Sequence, residues 1–175
     1  MKSLYLLPLL MFYCASPQPM PTVAKVDLPR FMGKWYVIAN IPTFIEKGAH
    51  NATEEYSLTP EQEIDTVFTF RADSFDGKEK KYNPRGFVVN RESNAEWKMQ
   101  FLWPFKSEFL ISYLNADYSQ TIIGRTDRDY VWIMARTPQI PEADYRRLLR
   151  LVADLGYDPD KVQRVPQRWP AGSAP

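Results

Sequence analysis

The chain carries few residues able to do chemistry. Its 175 residues include one histidine, His50, and one cysteine, Cys14, so neither a Ser-His-Asp triad nor a His/Cys metal site can be assembled. The adjacent acids Glu54 and Glu55 alternate across a strand and face opposite ways, poor geometry for a carboxylate dyad. Glu142 and Asp144 stand where acids favour the start of a helix. No catalytic residue and no metal ligand emerges, so the chain reads as a binder rather than an enzyme. Apolar recognition is better supplied: ten Tyr, ten Phe and five Trp against seven Gly suit strands with large rings on both faces. Such rings either line a cavity or fill a core.

Two short patterns far apart in the chain say what would position them. Gly33-Lys34-Trp35-Tyr36 opens an apolar run, and Thr126-Asp127-Arg128-Asp129-Tyr130 leads to Arg136. A glycine just ahead of a tryptophan lets the chain turn tightly and lays an indole across the closed end of a barrel. The guanidinium of Arg136 can then stack on that indole and donate to free carbonyls at the lower rim. Strand-like runs at 35–41, 52–58, 63–72, 78–90, 95–102, 108–115, 120–125 and 129–136 are separated by turn signals such as Asp76-Gly77 and Asn115-Ala116-Asp117. Antiparallel neighbours follow. Residues 27–32 predict a helical turn begun by Asp27. The stretch 141–155 places Tyr145, Leu148, Leu149, Val152 and Leu155 at helical spacing and stops at Gly156.

In this order, and together with Ile45-Glu46-Lys47-Gly48, Glu55-Tyr56-Ser57-Leu58, Tyr82-Asn83-Pro84 and Trp103-Pro104-Phe105, the patterns resemble the lipocalin family, in particular bacterial lipocalins related to apolipoprotein D. The resemblance covers most of the chain. It implies an all-β fold, an eight-stranded antiparallel up-and-down β-barrel with one C-terminal α-helix packed on the barrel wall, in a single domain over 27–170. It also implies non-enzymatic binding and transport or storage of a small hydrophobic ligand, a fatty acid or a lysophospholipid, in the bacterial cell envelope and without a cofactor. Three other readings stay open. The barrel could be filled and its outside could bind an envelope partner; it could carry a pigment, sterol or haem; or the fold could host a lipid- or pigment-modifying enzyme.

Strand alternation from Trp35 and Arg136 turns Val37, Ala39, Tyr130, Trp132 and Met134 inward. Matching the family pattern adds Tyr56, Phe68, Phe70, Trp97, Met99, Phe101 and Tyr113, with Glu54 on the face of Tyr56. Gly33, Trp35, Thr126, Asp127 and Arg136 take structural roles. A polar head group is expected at the mouth, near 42–50, where Lys47 and His50 either meet a carboxylate or phosphate or are simply solvated.

The chain opens with Lys2 and an apolar run over 4–13, too short to span a bilayer as a helix. Cys14 follows, then Ala15-Ser16-Pro17-Gln18-Pro19. The resemblance implies a leader over 1–13, acylation of Cys14, a proline-containing tether over 14–26, and a place on the outer membrane facing the periplasm. Tyr13 stands where lipoprotein signal peptidase takes a small residue, which leaves secretion or an uncleaved leader as the alternative. With 22 Lys and Arg against 21 acids, the net charge of +1 supplies no basic field for nucleic acid. A homodimer through apolar residues of 109–114 is a further candidate arrangement.

Overall fold

A computed structural model describes residues 18–170; Cys14, the leader and the first part of the tether lie outside the described residues. The chain winds as a meander of antiparallel strands, β1 (Gly33–Ile41), β2 (Ala49–Leu58), β3 (Ile64–Ala72), β4 (Glu79–Tyr82), β5 (Arg85–Val88), β6 (Glu96–Leu102), β7 (Phe105–Leu114), β8 (Gln120–Gly124) and β9 (Val131–Ala135). β9 pairs back with β1 and closes the barrel. The run expected over 78–90 is broken in two, because Pro84 has no amide hydrogen to offer the ladder. β4 and β5 both pair with β3 and together form one barrel strand, which makes the barrel eight-stranded. α1 (Leu28–Phe31) precedes β1, and α2 (Glu142–Asp154) packs on the outside.

β1 and β2 stay paired only from Gly33 to Tyr36 and then diverge. The end of the chain fills the gap. β10 (Gln163–Arg164) pairs with Ala39 and Asn40, and Gln167 Nε2 donates to Val37 O at 2.8 Å and to Ala52 O at 3.0 Å. Asn51, in the left-handed region at φ 50°, exchanges side-chain hydrogen bonds with the Arg168 backbone at 2.9 and 2.7 Å. The beginning of the described chain is equally tied down: Met20 and Val26 are buried, and Val23 N donates to Ile111 O at 2.9 Å. Residues 20–26, counted as tether by sequence, therefore run along the barrel wall.

The lower end is sealed by the pairing of Trp35 with Arg136. The guanidinium carbon lies 3.9 Å from the indole centroid. Its nitrogens donate to the carbonyls of Lys34, Arg30, Phe31, Met32 and Tyr118 at 2.8 to 3.2 Å. A planar, permanently charged fork satisfies in one place the carbonyls that α1 and the barrel rim would otherwise leave unmet. Gly33 has φ +88°, and a Cβ there would meet Arg136 Nη1 at 3.4 Å; left-handed geometry and crowding both ask for glycine.

Side chains sort into two apolar clusters. Inside lie Phe31, Trp35, Val37, Tyr56, Phe68, Phe70, Trp97, Met99, Phe109, Ile111 and Met134. Outside, under α2, lie Tyr36, Ile38, Ala39, Leu110, Ile122 and Ile133 with Tyr145, Leu148 and Val152. Two expected inward residues are corrected by this sorting. β1 carries a bulge between Val37 and Ala39, which turns Ala39 out to pair with Ile133 and sets Asn40 opposite Trp132. β7 carries another between Ile111 and Tyr113, so Tyr113 faces α2, where its hydroxyl accepts from Arg147 Nη1 at 2.8 Å. One extra residue in one strand flips every later side chain to the other face. Of the apolar residues offered for a dimer, Phe109, Leu110 and Ile111 are buried, whereas Tyr113 and Leu114 are half-buried.

Candidate functional site

The barrel is half full. Below, Phe31, Trp35, Tyr56, Trp97 and Phe109 interlock, with Trp97 stacked on Phe109 at 5.0 Å and Phe31 edge-on to Trp97 at 5.4 Å. Above this floor a cavity of about 430 Å³ opens to solvent between the loops 42–48 and 125–130 and the end of β6. Its wall includes Met99, Phe109, Tyr82, Tyr130 and Trp132, with Phe44, Phe101 and Leu102 at the lip. The size falls in the range of pre-formed small-molecule sites.

The expected inward residues thus divide into three groups. Met99, Phe101, Tyr130 and Trp132 reach the cavity. Val37, Tyr56, Phe68, Phe70, Trp97 and Met134 belong to the packed interior, while Ala39 and Tyr113 lie outside the barrel. Thr126 and Asp127 form the turn between β8 and β9, where Thr126 N donates to Glu108 Oε2 at 2.9 Å. His50 is turned away from the cavity, its Nδ1 2.9 Å from Gly48 O and its ring edge-on to Phe75 at 4.9 Å. Lys47 is exposed.

The ionisable acids and bases that line the cavity are Glu46, Glu54, Glu108 and Arg125, beside the hydroxyls of Thr43 and Ser107. Glu46 folds inward from its loop: Oε2 accepts from Thr43 N and Oγ1 at 3.0 and 2.8 Å, and Oε1 accepts from Trp132 Nε1 at 2.9 Å. The carboxylate therefore latches the 42–48 loop to a strand on the barrel wall. Sequence reasoning passed over Glu46 although it lies in the Ile45-Glu46-Lys47-Gly48 motif; a single acid between apolar and glycine residues was the available signal. Glu54 stands opposite Trp35 on one side and Phe68 on the other, so strand pairing forces it inside. Its carboxyl accepts from the Tyr56 hydroxyl. Burial pushes Glu54 up to about 7, opposed by that hydrogen bond and assisted by the nearby Glu46. Arg125 pairs with Asp129 at 3.0 Å through Nη1, while its buried Nε has no partner. Among the described residues, no three His, Cys, Asp or Glu side chains gather as a metal would need.

The family model described as the Lipocalin-like domain matches residues 26–167. The chain belongs to the lipocalin-like family. Lipocalins are known for binding small hydrophobic ligands. Relatives in sequence include temperature-induced lipocalin-1 of Arabidopsis thaliana, 28% identical with 85% of this chain and 83% of that protein covered. The outer membrane lipoprotein Blc of Escherichia coli K12 is 27% identical, covering 88% of each. Bovine apolipoprotein D is 29% identical, covering 83% of this chain and 79% of the relative. In fold, this lipocalin matches insecticyanin from the tobacco hornworm Manduca sexta with a TM-score of 0.70 at 14% identity, over 93% of this chain and 90% of that one.

Proposed function

We propose that this lipocalin carries a single-chain lipid, a fatty acid or a lysophospholipid, and moves or stores it in a bacterial envelope without chemistry. The supporting observation is the cavity of about 430 Å³ that ends on an aromatic floor. It offers apolar walls to a chain of methylenes, each contributing roughly 0.8 kcal/mol when removed from water. Orientation follows from charge. Glu46 and Glu54 both face the interior and offer no cation to a carboxylate or phosphate, so the acyl tail enters first. The head group then rests at the mouth, beside the guanidinium of Arg125. With Glu54 neutral below about 7, the bottom of the site is compatible with an acyl chain.

An envelope location accords with the apolar leader ahead of Cys14 and with relatives named as outer membrane lipoproteins. The test is native mass spectrometry of the protein purified from cells, followed by titration with palmitate and lysophosphatidylethanolamine while tryptophan fluorescence is followed. A saturable stoichiometric complex is expected. No bound lipid and no fluorescence response to either would move a partner-binding role of the barrel's outer surface to first place.

A further inference from the structure

Apolar exposure on this protein is concentrated at one end. The described residues leave six large hydrophobic side chains exposed; three of them, Phe44, Phe101 and Leu102, line the mouth of the cup, and Trp103 and Phe105 continue the same β6–β7 hairpin beside it. Four are exposed by more than two-thirds: Phe44 at 82%, Trp103 at 81%, Phe105 at 73% and Leu102 at 71%. Leu102 and Phe105 pair across the hairpin that carries Trp103 at its tip, and Phe44 projects from the separate loop 42–48. Scattered exposed hydrophobics need no explanation, but a cluster on the tips of two neighbouring loops does.

The beginning of the described chain lies at the same end. Arg128 belongs to the loop 125–130, whose Arg125 and Tyr130 line the mouth. Its guanidinium donates to Thr126 O at 2.7 Å and Leu155 O at 3.1 Å, and also holds Gln18 O at 2.6 Å and Pro19 O at 3.5 Å. Gln18 is therefore pinned beside the mouth, and the chain then descends along the wall past Met20 and Val23 toward the closed end. Cys14 lies four positions before Gln18, and so short a stretch reaches at most about 14 Å.

We propose that the mouth rim is a membrane-docking surface: Phe44, Leu102, Trp103 and Phe105 enter the interfacial layer of a lipid bilayer and stand the barrel mouth-down on it. Tryptophan and phenylalanine on protruding tips match the chemistry of that layer, where an amphipathic ring is apolar on its face and wet at its edge. The short reach from Gln18 makes the arrangement self-consistent, because an acyl group on Cys14 would enter the same surface that the rim meets. Stable anchoring takes two signals, and the rim supplies one whether or not Cys14 is acylated. The purpose of the docking, loading and unloading across an opening that faces lipid, rests on the reading of this protein as a lipid carrier; the docking itself does not.

The test uses the full chain carrying Cys14→Ala with vesicles of phosphatidylethanolamine and phosphatidylglycerol, with and without bromine on the acyl chains. Tryptophan emission should be quenched by the brominated vesicles in the absence of added ligand, and Trp103→Phe should remove most of that quenching. Trp103→Ser/Phe105→Ser, which changes no side chain of the cavity wall, should lower the vesicle-bound fraction about tenfold and leave palmitate titration in solution unchanged. Quenching that persists in Trp103→Phe overturns the proposal. So does vesicle binding that is unaffected by the double variant, or a loss of binding that coincides with conversion of a dimer to a monomer in sedimentation, which would assign the rim to a second copy. Vesicle binding without any palmitate binding would overturn lipid carriage and leave docking in place; the converse would overturn docking alone.

Discussion

The carboxyl of Glu54 and the hydroxyl of Tyr56 are hydrogen-bonded at the boundary between the cavity and the aromatic floor. Two residues apart on β2, they share a face of the strand, so the polar contact is local although everything around it is apolar. Burial, the dominant cause, raises Glu54 to about 7 and Tyr56 well above the usual phenol range.

This has a thermodynamic consequence with a definite sign. The folded protein keeps a proton on Glu54 up to about 7, whereas the unfolded chain releases it near 4.5. Stability from this group is fully present below 4.5 and is lost as pH rises to about 7. The change amounts to about 3 kcal/mol. Urea denaturation at pH 5 and pH 8 should show Glu54→Gln flattening that decline relative to the parent. Equal pH dependence in both proteins would mean that Glu54 is ionised in the fold.

Trp132 should matter for ligand more than for folding. Its ring lines the cavity and its Nε1 holds Glu46. Trp132→Phe keeps much of the ring but leaves one Glu46 oxygen unmet, which loosens the 42–48 loop at the mouth. A roughly tenfold faster palmitate release is expected, equivalent to about 1.4 kcal/mol, within the net contribution of a single hydrogen bond. Stopped-flow fluorescence checks it.

The opposite pattern is expected at the floor. Arg136→Ala strands the carbonyls that its guanidinium satisfies and uncovers the Trp35 indole. A destabilisation of about 3 kcal/mol follows, and Arg136→Lys should recover only part of it, because an ammonium lacks the planar fork. Palmitate affinity measured where the variant remains folded should stay near that of the parent. Equal loss of affinity in Trp132→Ala, Trp35→Ala and Arg136→Ala at matched stability would break the division between site and floor.

The outward turn of Tyr113 makes a further distinction. Tyr113→Phe loses the hydrogen bond from Arg147 of α2 and should cost about 1 kcal/mol in thermal or chemical unfolding. It should leave ligand titrations unchanged. A variant that binds palmitate more weakly while remaining equally stable would place Tyr113 inside the cup.

Much of this architecture is legible in local and periodic signals. Gly33 before Trp35, the alternation of strands with turn residues, the apolar spacing of Tyr145, Leu148 and Val152, and the distant Arg136 each report on neighbours close in sequence or on a role that few residue types can fill. The site is less legible. Ala39, placed by alternation, and Tyr113, placed by the family pattern, both follow bulges, and nothing in the residue types around 38 or 112 marks the inserted residue, so both are assigned the wrong face. Lys47 and His50 have the chemistry of a head-group site, yet the loop backbone turns Glu46 inward instead and leaves Lys47 to solvent.

By itself, then, the sequence determined a closed antiparallel barrel sealed by Trp35 and Arg136 with one helix outside, because period, turn chemistry and a stacking cation are properties of short stretches. Only the tertiary structure decided where the packed floor ends and the cavity begins, that three acids look into it, and that Gln18 and the apolar rim share one end. Each of these depends on how rings and loops from separate strands meet once the sheet has closed, and no single stretch of chain holds that information.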